Sequence, residues 1–501
     1  MTLDQIIEQE IRLESEKLIK RYQLYHNNLQ RSYDQKVRRI STPPPKVLQK
    51  PVYWATDVKF DPFYVNEHAR PIAISISRKL KAGNYRPRAP FQRQIPKPNG
   101  GSRTVNVYQI PDAAVSTFYF RKLLSKNRHR FSPYAYAYRS DRNVHFAIQD
   151  VAVDLARYSR LFVAEFDFSD FFGSIDHNFL RAQFTQNGFF ITDVEQKVIE
   201  SFLNLNAKGI PQGTSISLFL ANLACWKLDR DLSDQTLRFA RYADDTVIWT
   251  PEYSRICKAV EVIDAFSKEA KVEINLAKSE GISTLHKPNF PAEFNSKESF
   301  DFLGYKLSVG RVSIKEKSVL RIKKHISYLL YSNLIQPLLG TSLRAIVIPG
   351  NDRDEGLLSA ISQIRRYLYG NLSEDKLRAY QAGAYDRIVF KGVMSFYPLI
   401  NDEDQLSQLD GWLLKTIHLS LKRRLRLLEH WSFNLCRNNF PFNVDEYELL
   451  RECRRRRIHG AALLQIPSFL RIYKAIQRGL TTGGIEVTMN SANNDYHNSD
   501  S

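Results

Sequence analysis

The chain carries, over residues 237–249, the stretch Leu237-Arg238-Phe239-Ala240-Arg241-Tyr242-Ala243-Asp244-Asp245-Thr246-Val247-Ile248-Trp249. Apolar and β-branched residues flank two adjacent acids, which predicts a β-hairpin with both carboxylates at its tip. Neighbouring carboxylates repel each other, and each resists burial unless a cation compensates its charge. Hard oxygen ligands suit Mg²⁺, so Asp244 and Asp245 predict a metal site, with an exposed acidic turn as the alternative.

The composition indicates a large folded protein with an anionic partner. A length of 501 residues suggests two or three domains, and 43% hydrophobic residues are enough to exclude global disorder. Lysine and arginine number 72 against 53 acids, which gives a formal charge of +19. A surplus of this size favours a nucleic-acid partner.

Cysteine usage and hydropathy lead us to expect a cytoplasmic protein. The four cysteines are scattered without a Cys-x-x-Cys pair, so neither a zinc site nor a disulfide framework is expected. The first residues lack the pattern of a signal peptide. No apolar run reaches the ~18 residues that a membrane span needs, so we expect no membrane partner.

Changes of pattern along the chain suggest five segments. Residues 1–45 predict a helical extension that ends in a proline linker, and residues 46–310 mix strands with helices. Residues 311–430 are helical in pattern, and 431–480 form a basic helical region. Residues 481–501 contain no lysine or arginine and are predicted to be a disordered tail.

Two motifs precede the acidic pair and could face an anion. Lys97 and Arg103 flank a Pro-Asn-Gly-Gly turn, so a hairpin could project both toward a triphosphate; two solvated charges are the alternative. Residues 208–217 predict a turn that feeds a helix over 218–232. A glycine in such a turn permits close backbone approach, and its glutamine offers both a donor and an acceptor.

A third acid lies at the end of a predicted strand. The apolar run before Asp167 indicates a buried strand, and the end of a strand is a common place for reactive groups. If Asp167 lies beside Asp244 and Asp245, the carboxylates can hold two Mg²⁺ ions. Such a pair of ions stabilises the attacking and leaving oxygens of an in-line phosphoryl transfer.

In this order and spacing the motifs resemble those of the reverse transcriptases. The resemblance covers about residues 80–310 and rests on six motifs, namely Lys97 with Arg103, Phe166-Asp167-Phe168-Ser169-Asp170-Phe171-Phe172, Pro211-Gln212-Gly213, Tyr242-Ala243-Asp244-Asp245, Lys278 and Phe302-Leu303-Gly304-Tyr305. It implies an α+β right-hand polymerase with fingers and an antiparallel palm sheet over 46–310. An α-helical thumb over 311–430 and a C-terminal domain would follow.

The resemblance implies catalytic roles for four residues and a metal-binding role for a fifth, Phe168. Asp167, Asp244 and Asp245 would hold two Mg²⁺ ions per active site, with the carbonyl of Phe168 assisting. Lys278 falls where the family has a lysine that can protonate the leaving pyrophosphate.

The other motif residues would bind substrate. Lys97 and Arg103 would neutralise the incoming triphosphate, and Gln212 with Gly213 would contact nucleotide and template. Phe172 matches the aromatic steric gate, which leaves no room for a 2′-hydroxyl and so favours deoxynucleotides. The segment Phe302-Leu303-Gly304-Tyr305 matches the primer grip.

The resemblance also suggests a branch of the family. Pro211–Asn222 and the helical C-terminal region around Ile364–Leu368 look like the bacterial defence-associated, abortive-infection-like branch. Members of that branch act against phage as single proteins, often with a neighbouring non-coding RNA. The implied partners are an RNA template, a DNA product and deoxynucleotides. An intron-type maturase, a retron-type enzyme, from whose signature Ser308–Val312 departs, and a catalytically silent RNA-binding scaffold are the alternatives.

Three weaker signals leave alternatives open. Tyr496 could serve as a protein primer on a flexible tether, or be an incidental tail tyrosine. The patch Arg454–His459 fits the spacing of some RNA-cleaving domains, although a basic RNA-binding patch is favoured. The helical terminal regions could support a homo-oligomer, but no clean heptad is present.

Overall fold

The computed structural model describes residues 1–39, 43–96, 100, 102–288, 290, 295–339, 349–350, 352–431 and 434–489. The described residues between 91 and 314 include ten strands: β1 (Phe91–Pro96), β2 (Ser102–Val107), β3 (Arg160–Phe166), β4 (Arg238–Tyr242), β5 (Asp245–Thr250), β6 (Gly281–His286), β7 (Ser296–Lys297), β8 (Ser299–Phe302), β9 (Tyr305–Ser308) and β10 (Arg311–Ile314). The fold is therefore α+β, with strands in one part and helices in all parts of the described chain.

The α-helices surround these strands and make up the part that follows them. They are α1 (Leu3–Arg39), α2 (Pro62–Glu67), α3 (Ala69–Lys81), α4 (Ile110–Asn127), α5 (Val144–Leu155), α6 (Phe171–Ser174), α7 (His177–Gln186), α8 (Asp193–Leu203), α9 (Ile216–Ala224), α10 (Trp226–Asp234), α11 (Tyr253–Ala270), α12 (Glu316–Leu330), α13 (Glu355–Tyr369), α14 (Glu374–Gln381), α15 (Glu403–His430), α16 (Glu446–Arg455) and α17 (Phe469–Thr488). None of the described helices is long and apolar enough to cross a membrane.

The central sheet has five strands in the order β4-β5-β3-β6-β7. Its first four strands are antiparallel to their neighbours, and only the short β7 runs parallel to β6. This mainly antiparallel sheet is consistent with the palm sheet that the resemblance leads us to expect. Two smaller antiparallel units flank it in sequence: the β1–β2 hairpin and a three-stranded sheet in the order β10-β9-β8.

The strand β3 is covered on both faces. Successive side chains of a strand point in opposite directions, so neighbouring residues of β3 join different apolar cores. Leu161 and Val163 join a core that continues into α5 and through the helices α12 to α17. Ala164 and Phe166 join a second core built mainly from α3, α4, α8, α9 and α11. The sheet therefore separates two large apolar clusters. The predicted acids lie at the ends of its central strands β3 and β5.

The first helix is more than an extension before the main body. α1 lies within the predicted range, but Ile7 and Ile11 are fully buried in the second core. Arg121 on α4 donates to Glu10 at 2.6 Å, and Arg12 donates to the carbonyl of Asn66 at 3.0 Å. The beginning of α1 is thus an integral part of the fold around α3 and α4.

Two predictions about the helices need correction. The single helix expected over 218–232 is two helices, α9 and α10, which meet at Cys225. The tail was expected to be disordered from residue 481, but α17 continues to Thr488 through a kink at Gly484. Ile485 and Met489 are buried, which explains why this polar-looking segment is ordered. Residues 490–501 lie outside the described part of the chain.

Candidate active site

The sheet brings the predicted acids together at one edge. β3 and β5 are antiparallel neighbours, with Phe166 opposite Thr246, so the residue after β3 lies beside the residue that begins β5. Those residues are Asp167 and Asp245. Their carboxyl groups are close enough to share a proton, although the two residues are 78 positions apart in sequence.

Asp167 is held from a third segment of the chain. Its Oδ2 accepts hydrogen bonds from Nζ of Lys278 at 2.8 Å and from Nδ2 of Asn275 at 2.9 Å. Its backbone also pairs with this segment, since Asn275 N donates to Asp167 O at 2.8 Å and Ser279 Oγ accepts from Asp167 N at 3.1 Å. The carboxylate is therefore fixed in orientation before any substrate arrives.

Burial and like charge perturb the acidic group. Burial, and then the charges of Asp244 and Asp167, raise the pKa of Asp245 to about 7. The hydrogen bond to Asp167, reinforced by the charges of Asp245 and Asp244, raises the pKa of Lys278. Negative charge is thus concentrated where one ammonium group compensates only part of it.

A divalent cation would relieve this repulsion, and hard oxygen donors fit magnesium. Among the described residues, however, no three His, Cys, Asp or Glu side chains are close enough to hold a metal ion as they stand. The structure places Asp167 beside Asp245, and the charges of Asp167 and Asp244 both act on Asp245. The ammonium of Lys278 already occupies Oδ2 of Asp167. The side chains would therefore have to rearrange locally before all three aspartates could bind metal ions.

The backbone groups of Phe168 take no part in the strand pairing next to Asp167. Phe168 forms a bridge with Ile274 whose hydrogen bonds come from neighbouring residues, namely Ser169 N to Glu273 O and Asn275 N to Asp167 O. The N–H and carbonyl groups of Phe168 are therefore not used in that pairing and point away from it.

Phe172 lies on the short helix α6, directly after the acidic strand end. Its ring is half-buried and packs edge-on against Phe171, with ring centroids 5.7 Å apart. Its carbonyl accepts from Ile210 N at 2.5 Å, which attaches α6 to the turn before Gln212. The predicted steric-gate residue and the predicted nucleotide-contact turn are therefore neighbours.

The β1–β2 hairpin is fastened to that same turn. Arg103 donates from Nε to Oε1 of Gln212 at 2.7 Å, and Asn106 N donates to Gln212 O at 3.2 Å. A Cβ placed on Gly213 would lie 2.0 Å from the carbonyl oxygen of Asn106, so only glycine fits here. The structure thus unites Arg103, Gln212 and Gly213, whereas Lys97 lies outside the described residues, as does Tyr496.

The segment predicted as the primer grip forms the turn of the β8–β9 hairpin. Leu303 and Gly304 both have positive φ, of 48° and 84°, the pattern of a tight two-residue hairpin turn. Phe302 and Leu303 are almost fully buried, and Tyr305 is buried with its hydroxyl donating to Phe396 O at 3.1 Å. Only the backbone of this turn is positioned to contact a ligand without repacking.

Sequence reasoning missed four residues that support the site. Asn275 orients Asp167, and a buried group of Arg241, Asp229 and Asn222 lies beneath the acidic hairpin. The sequence offers little sign that Arg241 is buried, because the same strand begins with Arg238, which is exposed. A buried charge must be paired, and the partners of Arg241 come from other parts of the chain.

A comparison with known families agrees with this geometry. Residues 95–307 match the family described as reverse transcriptase (RNA-dependent DNA polymerase). The matched range begins in β1 and ends in β9, so it contains both aspartate-bearing segments, the Gln212 turn and Lys278.

Individual relatives are distant. Protein YkfC of Escherichia coli (strain K12) is 25% identical over 170 residues, a match that covers 32% of this chain and 45% of YkfC. Telomerase from Candida albicans, in complex with a fragment of telomeric RNA, has a TM-score of 0.35 at 13% identity, covering 72% of this chain and 66% of that one. Apo telomerase from Candida tropicalis has a TM-score of 0.36 at 11% identity, covering 80% and 63%. The chain thus spans less than half the length of YkfC, and its segment 95–307 is similar to the reverse transcriptase family.

Proposed function

We propose that the whole chain is an RNA-directed DNA polymerase that makes complementary DNA by two-metal nucleotidyl transfer. The observation that carries the proposal is the juxtaposition of Asp167 and Asp245 inside a reverse transcriptase domain. Two Mg²⁺ ions bound there would activate the attacking hydroxyl and stabilise the leaving oxygen. Asp167, Asp244, Asp245 and the Phe168 carbonyl would hold them.

The remaining site residues would bind and orient the nucleotide. Arg103 and Gln212 already share a hydrogen bond, so the hairpin and the turn present one donor-rich surface to a triphosphate. Phe172 beside them would exclude a ribose 2′-hydroxyl and thereby favour deoxynucleotides. Lys278, whose pKa is raised by Asp167, stays protonated at neutral pH and can give a proton to the leaving pyrophosphate.

A basic helix outside the matched domain offers a surface for the nucleic acid. α15 has no acid between residues 411 and 428, while Lys415, Lys422, Arg423 and Arg426 are all exposed on it. None of these four has an acidic partner among the described residues. Four cations without acidic partners on one side of a helix are suited to contact a phosphate backbone.

We further propose that the RNA is a cognate non-coding RNA and that the activity serves antiphage defence in the bacterial cytoplasm. The support is the resemblance of Pro211–Asn222 and of the helical C-terminal region to the defence-associated branch. A homo-oligomer, a repetitive product and priming from Tyr496 belong to the same proposal. Replacing Tyr496 by phenylalanine would then remove any covalent protein–DNA product, and an unchanged adduct on a denaturing gel would exclude protein priming.

The proposal is tested by sequencing the nucleic acids that co-purify with the wild type and with Asp244→Ala. We expect one abundant RNA with both proteins, and DNA complementary to it only with the wild type. The same pair of strains should differ in phage plating, with protection lost in Asp244→Ala. Loss of intron splicing without loss of phage resistance would instead indicate a maturase.

A second function, an RNA-binding scaffold without catalysis, is favoured by one observation. Lys278 neutralises Asp167 directly, and the described residues do not form a three-carboxylate group. A scaffold would keep its RNA and its biological effect when Asp244 is replaced by alanine. Equal protection by both strains, with no DNA in either, would therefore replace the polymerase by the scaffold.

A further inference from the structure

A buried arginine connects the acidic hairpin to the helices beneath it. Arg241, in β4, is 1% exposed and makes two hydrogen bonds of 2.6 Å to Asp229 on α10, one from Nε and one from Nη2. Both terminal nitrogens also lie 3.4 Å from Oδ1 of Asn222 on α9. The side chain is therefore held in one orientation by two helices.

The same guanidinium reaches the turn of the hairpin. Nη1 of Arg241 donates to the carbonyl oxygen of Ala243 at 2.9 Å. Ala243 has a φ of +60°, a conformation that a residue with a Cβ rarely adopts and that needs surrounding contacts to persist. Asp244 and Asp245 follow this residue directly, so the backbone conformation at Ala243 determines the position of both aspartates.

The backbone of Arg241 is fixed as well. Arg241 N donates to Tyr134 O at 3.0 Å, and Tyr136 N donates to Arg241 O at 2.9 Å. Asn222 closes the arrangement, because its Nδ2 donates to the carbonyl of Ala137 at 2.8 Å. The strand before the acids is thus braced on its outer edge by residues 134–137, independently of the sheet.

We propose that Arg241 is a positioning residue: anchored by Asp229, it holds the Ala243 carbonyl and so fixes the turn that presents Asp244 and Asp245 to a divalent cation. This inference rests on the proposed function, since it assigns the hairpin a metal to bind. Loss of a group that orients metal ligands commonly lowers metal affinity about 10–100-fold. A purely structural ion pair would lower stability and leave the affinity of the folded molecules unchanged.

The chain contains a matched control for this distinction. Arg424 on α15 is 2% exposed, donates from Nε to buried Asp354 at 2.7 Å, and donates from Nη1 to the carbonyl of Leu334 at 2.9 Å. It therefore has the burial, the acid partner and the carbonyl contact of Arg241, but in the helical part of the chain. Arg241→Lys and Arg424→Lys should lower the melting temperature to a similar extent.

The test is a titration of the metal-free, full-length proteins with Mn²⁺ alone, followed by electron paramagnetic resonance of the free ion. We expect Arg241→Lys to bind Mn²⁺ about tenfold or more weakly than the wild type, and Arg424→Lys to bind it like the wild type. The Mg²⁺ concentration for half-maximal DNA synthesis should shift in parallel. If Arg241→Lys does not fold, Asn222→Ala replaces it, with a smaller shift in the same direction.

The outcomes separate the two proposals. Unchanged Mn²⁺ affinity in folded Arg241→Lys, or an equal loss in Arg424→Lys, would overturn the positioning role while leaving the polymerase intact. A wild type that neither binds Mn²⁺ nor synthesises DNA would overturn the proposed function, and the positioning role with it.

Discussion

The ammonium of Lys278 lies 2.8 Å from Oδ2 of Asp167, so a largely exposed cation partly neutralises the carboxylate at the end of β3. The contact joins two segments that are 111 residues apart in sequence. In the proposed function the ammonium would compensate the charge of Asp167, donate a proton to the leaving group, or do both. Either role would make Lys278 more important for chemistry than for stability.

Replacing Lys278 by methionine should therefore slow nucleotide incorporation without unfolding the protein. General acid catalysis typically contributes about 10²–10⁴-fold, and we expect a loss within that range in single-turnover incorporation. The melting temperature should change little, because an exposed ion pair contributes about 0–1 kcal/mol.

Lys271 supplies the control for this variant. It has a similar exposure, 68% against 64%, and forms an ion pair of 2.9 Å with Asp176. Lys271→Met should keep the wild-type incorporation rate. Equal rates for both variants, whether high or low, would remove the special role of Lys278.

The acidic group should make the metal-free protein sensitive to pH. The pKa of Asp245 is raised from 3.8 to about 7, so the folded state keeps a proton between about pH 4 and 7 that the unfolded chain releases. Stability must then fall as pH rises through this window. In EDTA, the stability of Asp245→Asn should fall less than that of the wild type as the pH rises from about 4 to 7. At pH 8 the variant should therefore melt a few degrees above the wild type.

Magnesium should reverse the order of the two proteins. At pH 8 we expect it to raise the melting temperature of the wild type and to have little effect on Asp245→Asn, because the variant lacks one charged ligand. Parallel pH profiles in EDTA would show that Asp245 is not perturbed by its neighbours.

The turn at Gly213 should tolerate no side chain. A Cβ there would lie 2.0 Å from the Asn106 carbonyl oxygen, and φ is +102°, so Gly213→Ala must displace either the turn or the β1–β2 hairpin. We expect the Michaelis constant for deoxynucleotides to rise at least tenfold, since Arg103 and Gln212 would separate.

Gly411 is the matched control, because it lies inside α15 and a Cβ there meets nothing within 4 Å. Gly411→Ala should raise stability by about 0.5–1 kcal/mol and leave kinetics unchanged. If Gly213→Ala retained wild-type kinetics as well, the close approach to Asn106 would be unimportant for substrate binding.

The unpaired cations of α15 should be visible in the salt dependence of RNA binding. Each phosphate contact contributes about 0.7–0.9 to the slope of log affinity against log salt, so replacing Lys422, Arg423 and Arg426 by glutamine should lower the slope by about 2–3. Binding curves at several salt concentrations, with single-stranded RNA and with an RNA–DNA hybrid, would show which nucleic acid uses the surface.

A variant with the same loss of charge tests whether position matters. Lys17, Lys20 and Lys268 each have an acid one turn away, at 3.8, 3.5 and 2.6 Å. Replacing these three by glutamine should change the slope by less than one. Equal changes in both triple variants would mean that only net charge matters.

Much of the site geometry was predictable because short motifs carry local rules. The apolar run before Asp167 and the two strands around Asp244 follow from alternation and turn chemistry, and both are present as β3 and the β4–β5 hairpin. That Asp167 lies beside the acidic hairpin was inferred from the resemblance, since sequence spacing alone does not give the strand order. In the structure the order β4-β5-β3 explains this proximity.

Other features depend on contacts that no local pattern encodes. Arg241 resembles a surface charge in sequence, yet its partners Asp229 and Asn222 come from two helices and bury it. The polar composition after residue 481 hides Ile485 and Met489, which pack into a core made elsewhere in the chain. Tertiary burial overrides composition in both cases.

Template-directed DNA synthesis by the purified protein tests the central claim most directly. An RNA template with an annealed DNA primer should be copied in Mg²⁺, the product should be complementary to the template, and Asp167→Asn and Asp244→Asn should each reduce incorporation by at least about a thousandfold. EDTA should abolish synthesis by the wild type. Equal incorporation by the wild type and both variants, or none by the wild type with any primer and template, would contradict the account.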